Sequence, residues 1–118
     1  MVFYERLLPG TQLVNLLQDL GYRVQTIAEA GRLPNATAEQ RPMLLLVDLQ
    51  SAQADVVTVV NLIRSAPDTA HLPILLFMAD ESSEMQTAAR EAGATLVVQD
   101  QALLSHLPQL LDQALRVE

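Results

Sequence analysis

Two uninterrupted runs of apolar residues stand out in the pattern of this chain. They are Met43–Val47 and Ile74–Met78. Runs of this length are typical of strands buried on both faces, as in a parallel sheet covered by helices. The remaining pattern predicts shorter strands at Val2–Tyr4, Arg23–Ala28 and Leu96–Val98.

Helical spacing of apolar residues fills the intervals between these strands. The predicted helices cover Leu13–Leu20, Val56–Ile63, Ser83–Ala92 and Leu107–Leu115, with at most a short one at Ala36–Gln40. Thr11 can cap the first helix, and Gly21 and Gly93 suit the helix ends before them. Pro108 fits only in the first turn of the last helix. Five repeats of strand and helix predict one parallel sheet with helices on both faces.

Composition narrows the class of protein. The 118 residues suit a single domain spanning 1–118, and half of them are hydrophobic. The chain has no cysteine, so disulfides and thiolate metal sites are excluded and a reducing, cytoplasmic location is expected. The first residues lack the features of a signal peptide and no apolar stretch approaches the length of a membrane span, so neither is expected. The formal charge of −7 argues against nucleic-acid binding.

One carboxylate, that of Asp48, directly follows the first apolar run. It would lie where that strand leaves the sheet, at its carboxyl end. In open α/β sheets this is the edge at which ligands bind. Asp48 is therefore the first candidate for the centre of a chemical site.

Three stretches resemble parts of the receiver domain of two-component response regulators. They are Gln18–Val24, Leu44–Leu49 and Leu72–Phe77, the last with Glu91–Ala94 downstream, and together they carry a match over essentially the whole chain. The resemblance implies the flavodoxin-like (CheY-like) fold, a doubly wound sheet of five parallel strands in the order 2-1-3-4-5. It also implies a signalling module of a phosphorelay, not an enzyme, with Asp48 at the phospho-acceptor position.

A working receiver surrounds its aspartate with an acidic pair that helps to hold Mg²⁺, a Thr or Ser, and a Lys that pairs with the phosphoryl charge. In this chain the acidic pair corresponds to Tyr4 and Glu5, the Thr or Ser to Met78, and the Lys to Asp100 or Gln99. The position of the aromatic residue that the family uses as a switch falls near Val97. Met78 cannot donate a hydrogen bond, and Asp100 would repel a phosphoryl group. The chain thus resembles an atypical receiver, or pseudo-receiver, of the kind that acts through protein contacts.

Two chemical roles stay open at this site. Asp48 could still accept phosphate, and Glu5 and Asp48 together could hold Mg²⁺. The alternative is an inherited carboxylate that is hydrated or bonded to loop amides. No other cofactor is expected.

A second candidate region is the face that receivers use for dimerisation and docking, built from the fourth helix, the fifth strand and the last helix. Its members here would include Arg90, Glu91, Gln99, Gln101, Gln109, Asp112, Gln113 and Arg116. This mixture of polar groups suits a protein interface and plain solvated surface equally well. The expected partner is a histidine kinase or another signalling protein, or a second copy of the chain in a homodimer.

A small flavodoxin-like protein that binds a nucleotide or another ligand is a further alternative. Its phosphate loop would need glycines after the first strand. The segment Arg6–Gln12 offers one Gly, no Gly-x-Gly and no Lys. The pattern therefore favours the receiver-like interpretation.

Overall fold

Five parallel strands form one sheet in the order β2-β1-β3-β4-β5. The computed structural model describes residues 1–4, 7–27, 29–49, 56–79 and 83–115. The strands are Val2–Phe3 (β1), Thr26–Ile27 (β2), Leu45–Asp48 (β3), Ile74–Met78 (β4) and Leu96–Gln99 (β5). The predicted flavodoxin-like arrangement and its strand order are confirmed.

Helices cover both faces of this sheet. They are Leu7–Asp19 (α1), Leu33–Gln40 (α2), Val56–Ser65 (α3), Ser83–Ala92 (α4), Asp100–Ser105 (α5) and Leu107–Leu115 (α6), with a 3-10 turn at Ala30–Arg32 before α2. Successive residues of a strand point to opposite faces, so each central strand supplies both layers of the core. The core is accordingly divided into two clusters.

The first cluster, on the face that we call the α3 face, joins Val47 and Met78 to Val60, Ile63 and Ala89. The second, on the face that we call the α1 face, joins Leu46, Phe77 and residues of α1, α5 and α6. Every residue of β3 and β4 is buried, whereas all four residues of β5 are only half-buried. The edge strand β5 therefore keeps part of its apolar surface in contact with solvent.

The predicted start of the first helix was wrong. Helix α1 begins at Leu7, not after Thr11, and takes Pro9 and Gly10 into its first turns. A proline is tolerated there because the first backbone N–H groups have no partner within the helix. The ring of Tyr4 lies directly against Gly10, where an added Cβ would overlap it. The absence of a side chain at Gly10 thus allows the Tyr4 ring to pack against α1.

Other boundaries also differ from the prediction, and the largest difference is in β2, which covers only Thr26–Ile27 and not Arg23–Ala28. Strand β3 starts at Leu45 and includes Asp48, while Met43 is 61% exposed and lies outside the sheet. Helix α2 begins at Leu33, with Pro34 in its first turn. The short helix α5 was not predicted, and a break at His106 separates it from α6.

Arg64 fastens the sheet at the amino edge, the edge where its strands begin. Its Nε donates to the carbonyl of Gly93 at 2.8 Å, and its Nη1 donates to the carbonyls of Ala70 and Leu72. Its Nη2 donates to Oγ1 of Thr95 at 3.3 Å, and this oxygen also accepts the N–H of Ile74. Burial lowers the pKa of the Arg64 guanidinium, which stays charged because its ordinary pKa lies far above neutrality.

Candidate functional site

The candidate site lies at the carboxyl edge of the sheet, where the strands end. Asp48 ends β3 and is in register with Phe77 of β4, while Met78 is in register with Gln99 of β5. Tyr4 follows Phe3, whose partner is Val47, the residue before Asp48. The fold therefore brings Tyr4, Asp48, Met78 and Gln99 to one edge, as the resemblance implied.

Asp48 is fully buried, with 0% of its surface exposed. By strand alternation it shares the α1 face with Leu46, and its register neighbours on that face are Phe77 on one side and Tyr4 on the other. The N–H of Leu49 donates to the carbonyl of Phe77 at 2.9 Å, so the pairing continues beyond Asp48. The Asp48 side chain thus lies on the α1 face of the sheet, between the positions of Tyr4 and Phe77.

The buried carboxylate is satisfied by protein groups. Asp48 takes part in a polar interaction, and each buried side-chain nitrogen or oxygen in the described part of the chain has a hydrogen-bond partner. An unpaired polar group at this depth would destabilise the fold. Asp48 is therefore a buried side chain that has at least one partner in the protein.

The flanking position of Phe77 was missed from the sequence. Only Met78 was singled out in β4, because the resemblance directs attention to the last residue of that strand. The position of Phe77 beside Asp48 depends on the register in which β4 pairs with β3. The sequence carries no local signal for that register.

Met78 is a core residue. Its side chain is 0% exposed and packs into the cluster of the α3 face, with Leu76 and Ala89 among its members. A thioether is apolar and flexible, and it fills such a position well. The position at which receivers carry a hydroxyl is therefore part of the apolar core here.

The position of the receiver lysine falls on the junction between β5 and α5. Gln99 ends the strand, and Asp100 is the first residue of the helix, where the helix dipole favours a carboxylate. Asp100 also takes part in a polar interaction. The seven basic residues of the chain are all arginines, so no lysine is present anywhere in the sequence.

Of the two predicted magnesium ligands, the described residues include only Asp48. Asp48 is buried and Tyr4 offers a phenol, whereas Mg²⁺ requires an octahedral set of oxygens that usually includes several waters. No group of three or more His, Cys, Asp or Glu side chains in the described ranges is placed to hold a metal. Glu5, the second predicted ligand, lies outside the described residues.

The predicted interaction face is spread over one side of the molecule. Helix α4 lies on the α3 face, α5 and α6 lie on the α1 face, and the edge strand β5 runs between them. Val97 is half-buried and packs towards the cluster of the α3 face. The exposed members are Arg90, Glu91, Gln101, Gln109, Asp112 and Gln113, Gln99 is half-buried, and Arg116 lies outside the described residues.

Comparison with solved structures gives this arrangement its class. The chain is similar to a two-component response regulator of the LuxR family from Aurantimonas sp. SI85-9A1, with 23% identity, a TM-score of 0.85 and coverage of 98% of this chain and 82% of that one. It is also similar to a protein assigned as a response regulator from Chloroflexus aurantiacus J-10-fl, with 23% identity, a TM-score of 0.87 and coverage of 97% and 94%.

A third similar structure is the signal receiver domain of a signal transduction histidine kinase from Syntrophus aciditrophicus. It has 20% identity, a TM-score of 0.76 and coverage of 99% of this chain and 92% of that one. No family model and no curated protein matches the sequence. At these identities the comparisons establish the fold, which is that of two-component response-regulator receiver domains.

Within the described ranges, no helix combines the length and the apolar character needed to cross a membrane.

Proposed function

We propose that this protein is a receiver-like signalling module that acts through protein–protein contacts, without phosphorylation and without catalysis. The observation that carries the proposal is the burial of Asp48 at 0% exposure. A phosphoryl group can be accepted only by a carboxylate oxygen that the donor can reach. The described residues at the positions of the other receiver groups are Tyr4, Met78 and Asp100.

The charge at this edge supports the same proposal. A transferring phosphoryl group needs fixed cationic partners. The chain contains no lysine, and an aspartate stands at the lysine position. Asp100 would raise the energy of a phosphorylated Asp48, so phosphorylation would be disfavoured even if a donor reached the site.

The contact surface that we propose is the side formed by α4, β5, α5 and α6. Edge strands with unprotected apolar surface are places where another chain can bind. Leu96, Val97 and Val98 are all half-buried, unlike the residues of β3 and β4. The exposed Arg90, Glu91 and several glutamines would form a polar rim around this strand. The partner would be a kinase, another signalling protein or a second copy of the chain.

The test is a phosphorylation assay read by intact mass. Wild type and Asp48→Ala are incubated with Mg²⁺ and acetyl phosphate, beside a receiver of known activity. We expect the control receiver to gain one phosphoryl group and both forms of this protein to keep their mass. A mass increase in wild type that Asp48→Ala abolishes would refute the proposal.

That second outcome would identify the alternative function, a receiver that accepts phosphate at Asp48. One observation favours this alternative: the fold does place Asp48 at the carboxyl end of β3, at the acceptor position. Acceptance would then require the Asp48 carboxylate to become exposed, and a cognate kinase would be the next partner to seek.

A further inference from the structure

A cavity of about 660 Å³ opens at the amino edge of the sheet, at the opposite end from Asp48. Its inner wall is formed by Leu17, Leu46 and Leu111, which come from α1, β3 and α6 and are each less than 5% exposed. The volume falls in the range of about 300–1,000 Å³ that is typical of small-molecule sites. The deep part of the cavity is thus apolar and belongs to the core.

The mouth of the cavity lies next to the start of the short strand β2. Only Thr26 and Ile27 pair with β1, and residues 22–25 before them run as coil along the mouth of the cavity. Tyr22 and Val24 are half-buried there, and Met43 on the facing segment is 61% exposed. The apolar lining is therefore reachable from solvent.

The charge at the mouth of the cavity is positive. Among the described residues that line the cavity, Arg23 has the only charged side chain, and that side chain is exposed. The amino group of Met1, at the same wall, already donates to the carbonyl of Leu44 at 3.0 Å. In a chain of net charge −7, this places an available guanidinium beside an apolar chamber.

We propose that this cavity binds a small amphipathic anion, with its apolar body against Leu17, Leu46 and Leu111 and its anionic group at Arg23. Apolar burial would provide most of the affinity, and a charge-assisted hydrogen bond to the guanidinium would select the anion. The site is separate from the carboxyl edge and would give the fold a small-molecule input that does not involve Asp48.

Three probes with the same alkyl chain test this directly: octanoate, octan-1-ol and octyltrimethylammonium. The readout is NMR of ¹³C-methyl methionine, because Met43 and Met1 line the cavity whereas Met78 lies buried at the other end of the sheet. We expect saturable shifts of Met43 and Met1 with octanoate, no shift of Met78, and about tenfold weaker binding of the cationic probe.

Two variants separate the apolar and the charged contributions. Arg23→Gln should weaken octanoate about five- to tenfold and leave octan-1-ol unchanged. Val24→Trp, which places a ring in the mouth, should abolish the binding of both probes. Arg32→Gln removes an exposed arginine away from the cavity and should change neither.

Each contrary result overturns the proposal. One is the absence of a saturable Met43 shift with octanoate. Another is binding of octyltrimethylammonium or octan-1-ol as tightly as octanoate, since the site would then not select an anion. Shifts of Met43 on dilution without any probe would mean that a second copy of the chain covers the cavity.

Discussion

The two edges of the sheet differ in what holds them. At the amino edge, Arg64 donates to three backbone carbonyls and to Thr95, and so joins α3, the segment before β4 and the turn before β5. At the carboxyl edge, Asp48 lies within the sheet between aromatic positions, and Met78 lies in the apolar core. Hydrogen bonds from the charged side chain of Arg64 stabilise the amino edge, and apolar side chains pack at much of the carboxyl edge.

This contrast separates the receiver fold from receiver chemistry. The hydrogen bonds of Arg64 lie at the edge opposite the acceptor position. Under the proposed function, the residues that would carry the chemistry have become core or surface residues while the strand order is kept. The contribution of each edge to stability can therefore be measured separately.

The largest effect is expected at Arg64. Arg64→Leu would leave the carbonyls of Gly93, Ala70 and Leu72 without this donor and lower the free energy of unfolding by about 3 kcal/mol. Urea unfolding monitored by circular dichroism measures the change. Arg32→Leu, at an exposed arginine, should change it by less than about 0.5 kcal/mol. Equal effects of the two variants would show that the guanidinium does not fasten this edge.

Met78 tests whether the carboxyl edge is a core. Met78→Thr introduces the hydroxyl that receivers carry, but it removes buried apolar volume and adds a polar group, so we expect a loss of about 2–3 kcal/mol. Met78→Leu conserves volume and should cost less than about 1.5 kcal/mol in the same urea titration. A neutral or stabilising Met78→Thr would instead indicate a polar, receiver-like site.

Gly93 should give a smaller effect at the amino edge. Its φ is +117°, and an added Cβ would lie 2.6 Å from Cγ of Arg64. Gly93→Ala should therefore lower the free energy of unfolding by about 2 kcal/mol. Gly31 has no heavy atom within 4 Å of such a Cβ, and Gly31→Ala should be neutral or raise stability by up to about 1 kcal/mol. Thermal unfolding of both variants checks the difference. Equal stabilities would show that neither the positive φ of Gly93 nor its contact with Arg64 constrains this turn.

Much of the fold was predictable because its signals are local. The apolar run Ile74–Met78 and the helix Ser83–Ala92 have the predicted bounds. Gly21 and Gly93 follow helix ends in left-handed conformations. Where prediction failed, a distant contact decided the outcome. The first turns of α1 contain Pro9 and Gly10, which favour other structures locally, and Gly10 is in contact with the Tyr4 ring. The short helix α5 has too few apolar residues to show a helical period.

The sequence predicted which positions lie at the candidate site, but not how buried they are or which residues flank them. The sequence placed Asp48 at a strand end and Met78 at the next one, and the fold confirms both. The complete burial of Asp48 and the flanking Phe77 depend on strand register. The Arg64 contacts join residues up to 31 positions apart, so no local sequence pattern predicts them.

The most direct test of the account compares wild type with a partly restored receiver. In Tyr4→Asp/Asp100→Lys, a carboxylate replaces the ring beside Asp48 and an ammonium replaces the repelling charge, while the core residue Met78 is kept. All forms are incubated with Mg²⁺ and acetyl phosphate, and intact mass is followed over time. We expect the double variant to gain a phosphoryl group, the further change Asp48→Ala to abolish this gain, and wild type to keep its mass. Labelling of wild type that Asp48→Ala abolishes would contradict the proposed function.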